Sequence, residues 1–228
     1  MEIVYGVIRM SEKILFDLLA PSSRRFLTPV LSRQTGAESC PETLDELAAK
    51  TADCVCCALR NSASQVVFGQ GNPHAALMFV GEGPGAEEDK QGQPFVGAAG
   101  QLLDKILTAI DLSREEVYIA NIVKCRPPEN RTPSVKEAGT CLPYLTQQIA
   151  LIQPKIIVCL GSVAAQTLID SKQKISQMRG TWHEKNGIRY IATFHPAALL
   201  RDPSRKRPVW EDMKKVRDAY QEILGRRV

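Results

Sequence analysis

The stretch Leu77-Met-Phe-Val-Gly-Glu-Gly-Pro-Gly-Ala-Glu-Glu-Asp-Lys-Gln-Gly-Gln-Pro-Phe95 decides how this chain is read. Its start, residues 76–80, is a short apolar run that predicts a buried strand. The run empties into the turn Gly81-Glu82-Gly83-Pro84-Gly85 and then into three acids, Glu87, Glu88 and Asp89. A glycine turn after a strand ordinarily aims backbone N–H groups at phosphate oxygens. Here Pro84 removes one donor, the carboxylates would repel a pyrophosphate, and no Gly-Lys-Ser/Thr sequence follows. The turn instead lets a flat, neutral ligand approach the backbone, ringed by carboxylates and followed by an aromatic, Phe95. That is the pattern of a base pocket, with no nucleotide cofactor.

Working outward, apolar strands are expected at 76–80, 117–123, 156–160 and 188–193. Helices are expected at 42–51, 97–110, 134–152 (interrupted near Pro143), 163–169 (capped by Ser162) and 209–224. Strands that are apolar throughout and separated by helices predict a four-stranded, mostly parallel sheet covered on both faces. Ligands of such sheets bind outside the carboxyl ends of the strands. Glu82 follows the first strand, Asn121 closes the second and His195 follows the fourth, so the topology draws all three to one edge. Residues 1–45 read as an appendage, with a helix near 11–19 and a Pro- and Ser-containing linker, and residues 46–228 as the domain proper.

With 44% hydrophobic residues in 228, the chain can bury a full core. From His195 onward nine Arg/Lys face five Asp/Glu, and this excess equals the net charge of the whole chain, +4. A basic tail on a neutral body fits a polyanion partner. No apolar run approaches the ~20 residues of a membrane span, and seven cysteines, an odd number, argue against a disulfide framework. A cytoplasmic protein without membrane contact is expected, nucleoid-associated if prokaryotic. The Ser/Arg-rich residues 22–33 leave an organelle-targeting segment as the alternative.

Cys54 and Cys57 form a C-x2-C pair, and Cys125 and Cys141 stand far from it and from each other. A zinc ribbon supplies a second close pair, whereas an iron–sulfur cluster accepts ligands from separate elements. Spacing alone leaves both metals open. Cys159, inside an apolar strand, reads as core, and Cys56 as a neighbour of the pair.

Four motifs in order, Gly-Glu-Gly-Pro-Gly (81–85), Gly-Gln-Pro-Phe-Val-Gly (92–97), Asn-Ile-Val-Lys-Cys-Arg-Pro-Pro (121–128) and His-Pro-Ala-Ala-Leu-Leu-Arg (195–201), resemble the family 4 uracil-DNA glycosylases. The likeness spans about residues 45–220. It implies a three-layer α/β/α sandwich, a [4Fe-4S] cluster on Cys54, Cys57, Cys125 and Cys141, and a monomer that excises uracil from single- and double-stranded DNA. By the same resemblance Gly81, Glu82, Gly83, Phe95, Asn121 and His195 hold the base, with His195, Glu82 and Glu88 in catalytic roles. Other branches of the superfamily carry an Asp or Asn where Gly83 stands, to activate water, and a Tyr against thymine where Gly85 stands. The resemblance implies that Glu82 positions the water or stabilises the sugar cation and that Glu88 supplies the steric block to thymine, with a solvated loop acid as the alternative for each.

The residue types suit the chemistry. Phe95 can stack on a flipped base. Asn121 offers an acceptor and donors in one plane, matching N3–H and O4 of uracil, and His195 can donate to O2 as negative charge develops there. Arg201, Arg205, Lys206 and Arg207 are expected on the DNA backbone. The rival readings are a glycosylase of broader base specificity and a non-catalytic iron–sulfur DNA-binding module.

Overall fold

Residues 77–81 and 156–160 are buried at every position, which only a strand covered on both faces permits. In the computed structural model, which describes residue 41 and residues 43–225, they are the two central strands of one sheet. The expected helix at 11–19 and the linker after it lie outside the described residues. The strands are β1 (Gln70–Gly71), β2 (Leu77–Gly81), β3 (Tyr118–Asn121), β4 (Ile156–Leu160), β5 (Trp182–Lys185) and β6 (Ile188–Thr193), in the spatial order β1-β3-β2-β4-β6-β5. The four expected strands form the parallel centre. The sheet has six strands rather than four, because β1 and β5 add short antiparallel edges. β5 is polar and partly exposed, so it carries no buried-strand signal. Its hairpin partner β6 follows through Asn186-Gly187, both at positive φ, as a tight hairpin turn requires.

The helices are α1 (Leu44–Ala52), α2 (Ala86–Gln91), α3 (Ala98–Ala109), α4 (Val135–Ile152), α5 (Ser162–Leu168), α6 (Ile175–Met178), α7 (Pro196–Arg201) and α8 (Lys206–Ile223). Strand alternation sorts them into two layers. Leu77, Phe79 and Val158 face α3 and α8, while Met78, Val80 and Ile157 face α4 and α5. Each fully buried Leu or Ile contributes roughly 1.5–3 kcal/mol. That burial explains α4, which runs unbroken through Pro143 where an interruption is expected. A helical proline costs ~3 kcal/mol, and the buried Ala138, Cys141, Leu145, Ile149 and Ile152 on both sides of it offset the loss. Ser162 is the first residue of α5 rather than its cap. Gly161 takes the capping position at φ 92 without a side-chain bond.

From β2 the chain crosses over α3 to β3 on one side, then over α4 to β4 on the other. The carboxyl end of β2 is therefore the switch point of the sheet, where a crevice opens. Among the described residues no helix is long and apolar enough to cross a membrane.

Candidate active site

An open cleft of about 520 Å³ lies at this switch point, lined by Glu82, Glu88, Phe95, Asn121, Thr132, His195 and Arg201 among others. Gly81, the last residue of β2, makes the floor. A Cβ there would lie 2.5 Å from both Phe95 Cζ and Asn121 Oδ1, so only glycine lets the aromatic ring and the amide meet. Asn121 closes β3 opposite Gly81. It is 2% exposed, and its Oδ1 is buried with no hydrogen-bond partner in the chain. An orphaned buried acceptor costs about 1–3 kcal/mol, which a ligand N–H would recover.

His195 follows β6 and precedes the short α7. Its Nδ1 accepts the backbone N–H of Ala197 at 3.2 Å, which leaves the proton on Nε2. Burial, reinforced by the nearby Arg201 charge, pulls its pKa down to about 4, so the ring is neutral at physiological pH. Its ring stacks on Phe95, centroids 5.4 Å apart, and Gly161 at the end of β4 gives it room, a Cβ there reaching His195 Cβ at 3.0 Å. Phe95 itself sits at φ 55, a left-handed conformation that costs a bulky residue of order 1–3 kcal/mol.

The carboxylates divide into different tasks. Burial raises the pKa of Glu82, while a hydrogen bond from Thr132 and the charge of Arg201 oppose that shift. Glu88 accepts the backbone N–H groups of Gly85 (3.1 Å), Val96 (2.9 Å) and Gly97 (2.8 Å). It is a fixed wall that ties the glycine turn to the Phe95 loop. Asp89 does not join the ring of acids around the ligand, because it turns away to accept from Ser64 N and Oγ. Glu87 stays at the rim, paired with Lys90. The Pro-rich loop carrying Thr132 is pinned by Arg131, whose fork on Glu137 (2.8 Å, two bonds) holds that carboxyl down to about 2.

Cys54, Cys57, Cys125 and Cys141 line one cavity together with Lys124, Tyr144 and Arg60, among others. Burial first, then the neighbouring sulfurs, pushes Cys125 up to about 12. Burial likewise raises Cys141 to about 11, although the Lys124 charge and the Lys124 N–H on its sulfur (3.3 Å) oppose the shift. Four sulfurs that repel one another as thiolates fit a positively charged inorganic group between them. Among the described residues, no three His, Cys, Asp or Glu side chains form a group that could hold a metal ion. Cys159 is fully buried in β4, and Cys56 is exposed beside the pair.

The chain matches the family described as the Uracil DNA glycosylase superfamily over residues 68–214. It belongs to that superfamily. It is 43% identical over 182 residues to a type-4 uracil-DNA glycosylase of Thermotoga maritima, an alignment covering 77% of this chain and 94% of the relative. It is also 43% identical to the type-4 enzyme of Archaeoglobus fulgidus over 185 residues, 77% and 92% of the two chains. A type-4 enzyme of Sulfurisphaera tokodaii is 41% identical over 186 residues, 78% and 84% of the two. Membership in the type-4 family follows.

Within that frame the structure brings Glu82, Glu88, Phe95, Asn121 and His195 to one cleft, with Gly81 beneath and Gly83 beside it. Of the four cations expected on the DNA backbone, Arg201 is exposed and lines the cleft, where its charge acts on Glu82 and His195. Arg205 pairs with Asp202 at 3.0 Å and packs on Phe194. Lys206 and Arg207 stand exposed at the start of α8. Thr132 is a site residue that sequence reading missed. It lies in a loop of Pro, Glu, Asn and Arg, and only the fold sets it against Glu82.

Proposed function

We propose that this chain releases uracil from single- and double-stranded DNA by hydrolysing the N-glycosidic bond, leaving an abasic site. The observation that carries the reading is the unpartnered, buried Asn121 Oδ1 beside an aromatic ring and a neutral imidazole donor. Asn121 Oδ1 takes N3–H of uracil and its amide donates to O4. Cytosine offers an acceptor at N3 and an amino group at position 4, so both contacts fail, and such unpaired buried groups are what make polar discrimination strong. Phe95 stacks beneath the flipped base, worth ~1–3 kcal/mol. The fixed carboxylate of Glu88 walls the cleft against the thymine methyl group. As the bond breaks, His195 Nε2–H donates to the uracil O2, and Glu82, half-buried, orients the attacking water.

Among the described residues no lysine lines the cleft, which suits hydrolysis by water rather than a Schiff base. Incubation with uracil-containing oligonucleotides should give strand breaks only after alkali. Scission before alkali would contradict a monofunctional enzyme, and persistence of uracil in both strand contexts would contradict the reading as a whole.

Cys54, Cys57, Cys125 and Cys141 would hold a [4Fe-4S] cluster. When bound, it supplies a covalent tie between the segment after α1, the loop after β3 and α4. Purified protein is expected to be brown and to contain about four irons per chain, by metal analysis. One stoichiometric zinc in colourless protein would overturn this assignment.

Lys206 and Arg207 suit backbone phosphates, which position DNA without reading it. Changing both to Ala should weaken binding to uracil-containing and ordinary DNA alike and reduce the salt slope by about 0.7–0.9 per lost contact. A slope equal to that of the parent protein would remove these residues from the interface.

A further inference from the structure

Phe95 reaches the floor of the cleft only because its backbone is held where phenylalanine rarely goes, at φ 55. The holding groups lie outside the cleft lining. Arg114, in the loop between α3 and β3, donates through Nη1 to the carbonyl of Pro94 at 3.1 Å and through Nη2 to that of Phe95. A third N–H, on Nε, goes to Asp104 Oδ1 of α3 at 2.6 Å. Its side chain is 24% exposed, so the fork is shielded from most competing water. Gly100 completes the seat, since a Cβ there would lie 1.8 Å from the Phe95 carbonyl oxygen. On the far side the next two N–H groups, of Val96 and Gly97, are already taken by Glu88.

We propose that Arg114, oriented by Asp104, is a positioning residue for base capture: its guanidinium fork fixes the Pro94 and Phe95 carbonyls so that the Phe95 ring is aimed under the flipped base. The proposal rests on the reading of the cleft as a uracil pocket. The geometry suits arginine in particular. A planar fork satisfies two successive carbonyls with two N–H groups of fixed spacing while a third N–H engages the carboxylate, whereas an ammonium is a point donor without that spacing. Without the fork, the strained residue is free to relax toward an extended conformation and carry its ring off the Gly81 floor. Asp104 touches neither the ring nor the cleft and acts only by holding the guanidinium in plane.

The test is a double-mutant cycle on cleavage of a uracil-containing oligonucleotide, with Arg114→Gln and Phe95→Ala made singly and together. Arg114→Gln is expected to lower kcat/KM by about tenfold, the scale of one base-stacking contact. Most of the loss should fall in KM and be matched by weaker inhibition by free uracil. Added to Phe95→Ala it should lower cleavage no further, because the ring it positions is already gone. Arg114→Lys should recover part of the loss. Effects that multiply in the double variant would make Arg114 a general stabiliser of the loop and overturn the proposal, as would wild-type kcat/KM in Arg114→Gln. Should Arg114→Gln fail to fold, Asp104→Asn, which leaves the fork in place but loosens it, takes its place in the same cycle with a smaller loss and the same non-additivity. Parent protein that leaves uracil in place would instead refute the uracil reading itself, so the two failures are distinguishable.

Discussion

Glu82→Gln is expected to slow single-turnover release of uracil by about 10²–10⁴-fold, the usual contribution of a positioned general base, with binding of ordinary DNA nearly unchanged. Glu82 follows the switch-point strand, and burial raises its pKa above 4.5 even though Thr132 and Arg201 stabilise the charged form. A carboxylate kept partly short of water is a better base toward a bound water than a solvated one. The working form is ionised, so the parent rate should rise with pH through a midpoint above 4.5. Gln cannot ionise, and the small residual rate should be flat across that window.

The stability of the fold should move the other way. A carboxyl whose folded pKa is raised binds its proton more tightly folded than unfolded. Its contribution is therefore full below 4.5 and lost as pH rises through the folded pKa. Glu82→Gln should accordingly melt higher than the parent at neutral pH, a cost to stability kept for activity. A variant that cleaves at the parent rate, or that keeps the same acid limb, would remove Glu82 from the water-activating role.

How much of this was legible in the sequence depended on how local each signal was. The central strands announced themselves because residues 77–81 and 156–160 are apolar throughout and need no partner to be recognised. The convergence of Glu82, Asn121 and His195 followed from topology alone, since parallel strands deliver their carboxyl ends to one edge. The edge strand β5 stayed hidden because a half-exposed strand of Trp, His, Glu and Lys looks like a loop, although Asn186-Gly187 marks its hairpin. Pro143 misled because a local rule met a helix held on both sides by burial.

Within the cleft, Glu82, Glu88, Phe95, Asn121 and His195 are legible as candidates, and the groups that bond to two of them, Thr132 and Arg114, are not. Thr132 reaches Glu82 across fifty positions, and Arg114 reaches the Phe95 carbonyl across nineteen. Neither pairing has a spacing rule. The family resemblance supplied residue roles but not the polar shell that holds those residues. Arg201 and Arg205 likewise have partners that their place in the sequence does not announce. In the fold the charge of Arg201 acts on Glu82 and His195, and Arg205 packs on the Phe194 ring.

His195→Ala should reduce single-turnover cleavage by about 10²–10³-fold, as for loss of one donor aimed at developing negative charge, again with binding of ordinary DNA preserved. The argument turns on protonation. With Nδ1 accepting from Ala197 and a pKa of about 4, the ring donates as a neutral imidazole. A charged imidazolium would need its extra proton on Nδ1, where it meets the Ala197 N–H. Protonation should therefore not improve catalysis, and the parent rate should fall, not rise, as pH drops toward 4.

Folding is linked in the same direction. The unfolded histidine takes a proton near 6.5 and the folded one only near 4, so between those values the unfolded state binds more protons and stability falls as pH falls. His195→Ala should flatten that part of the stability profile while leaving in place the opposite stability trend set by Glu82, whose raised pKa favours the fold as pH falls. Cleavage by His195→Ala at the parent rate would show that charge on the departing uracil is met elsewhere. A stability profile between pH 4 and 6.5 that matches the parent would show that the imidazole is not held neutral in the fold.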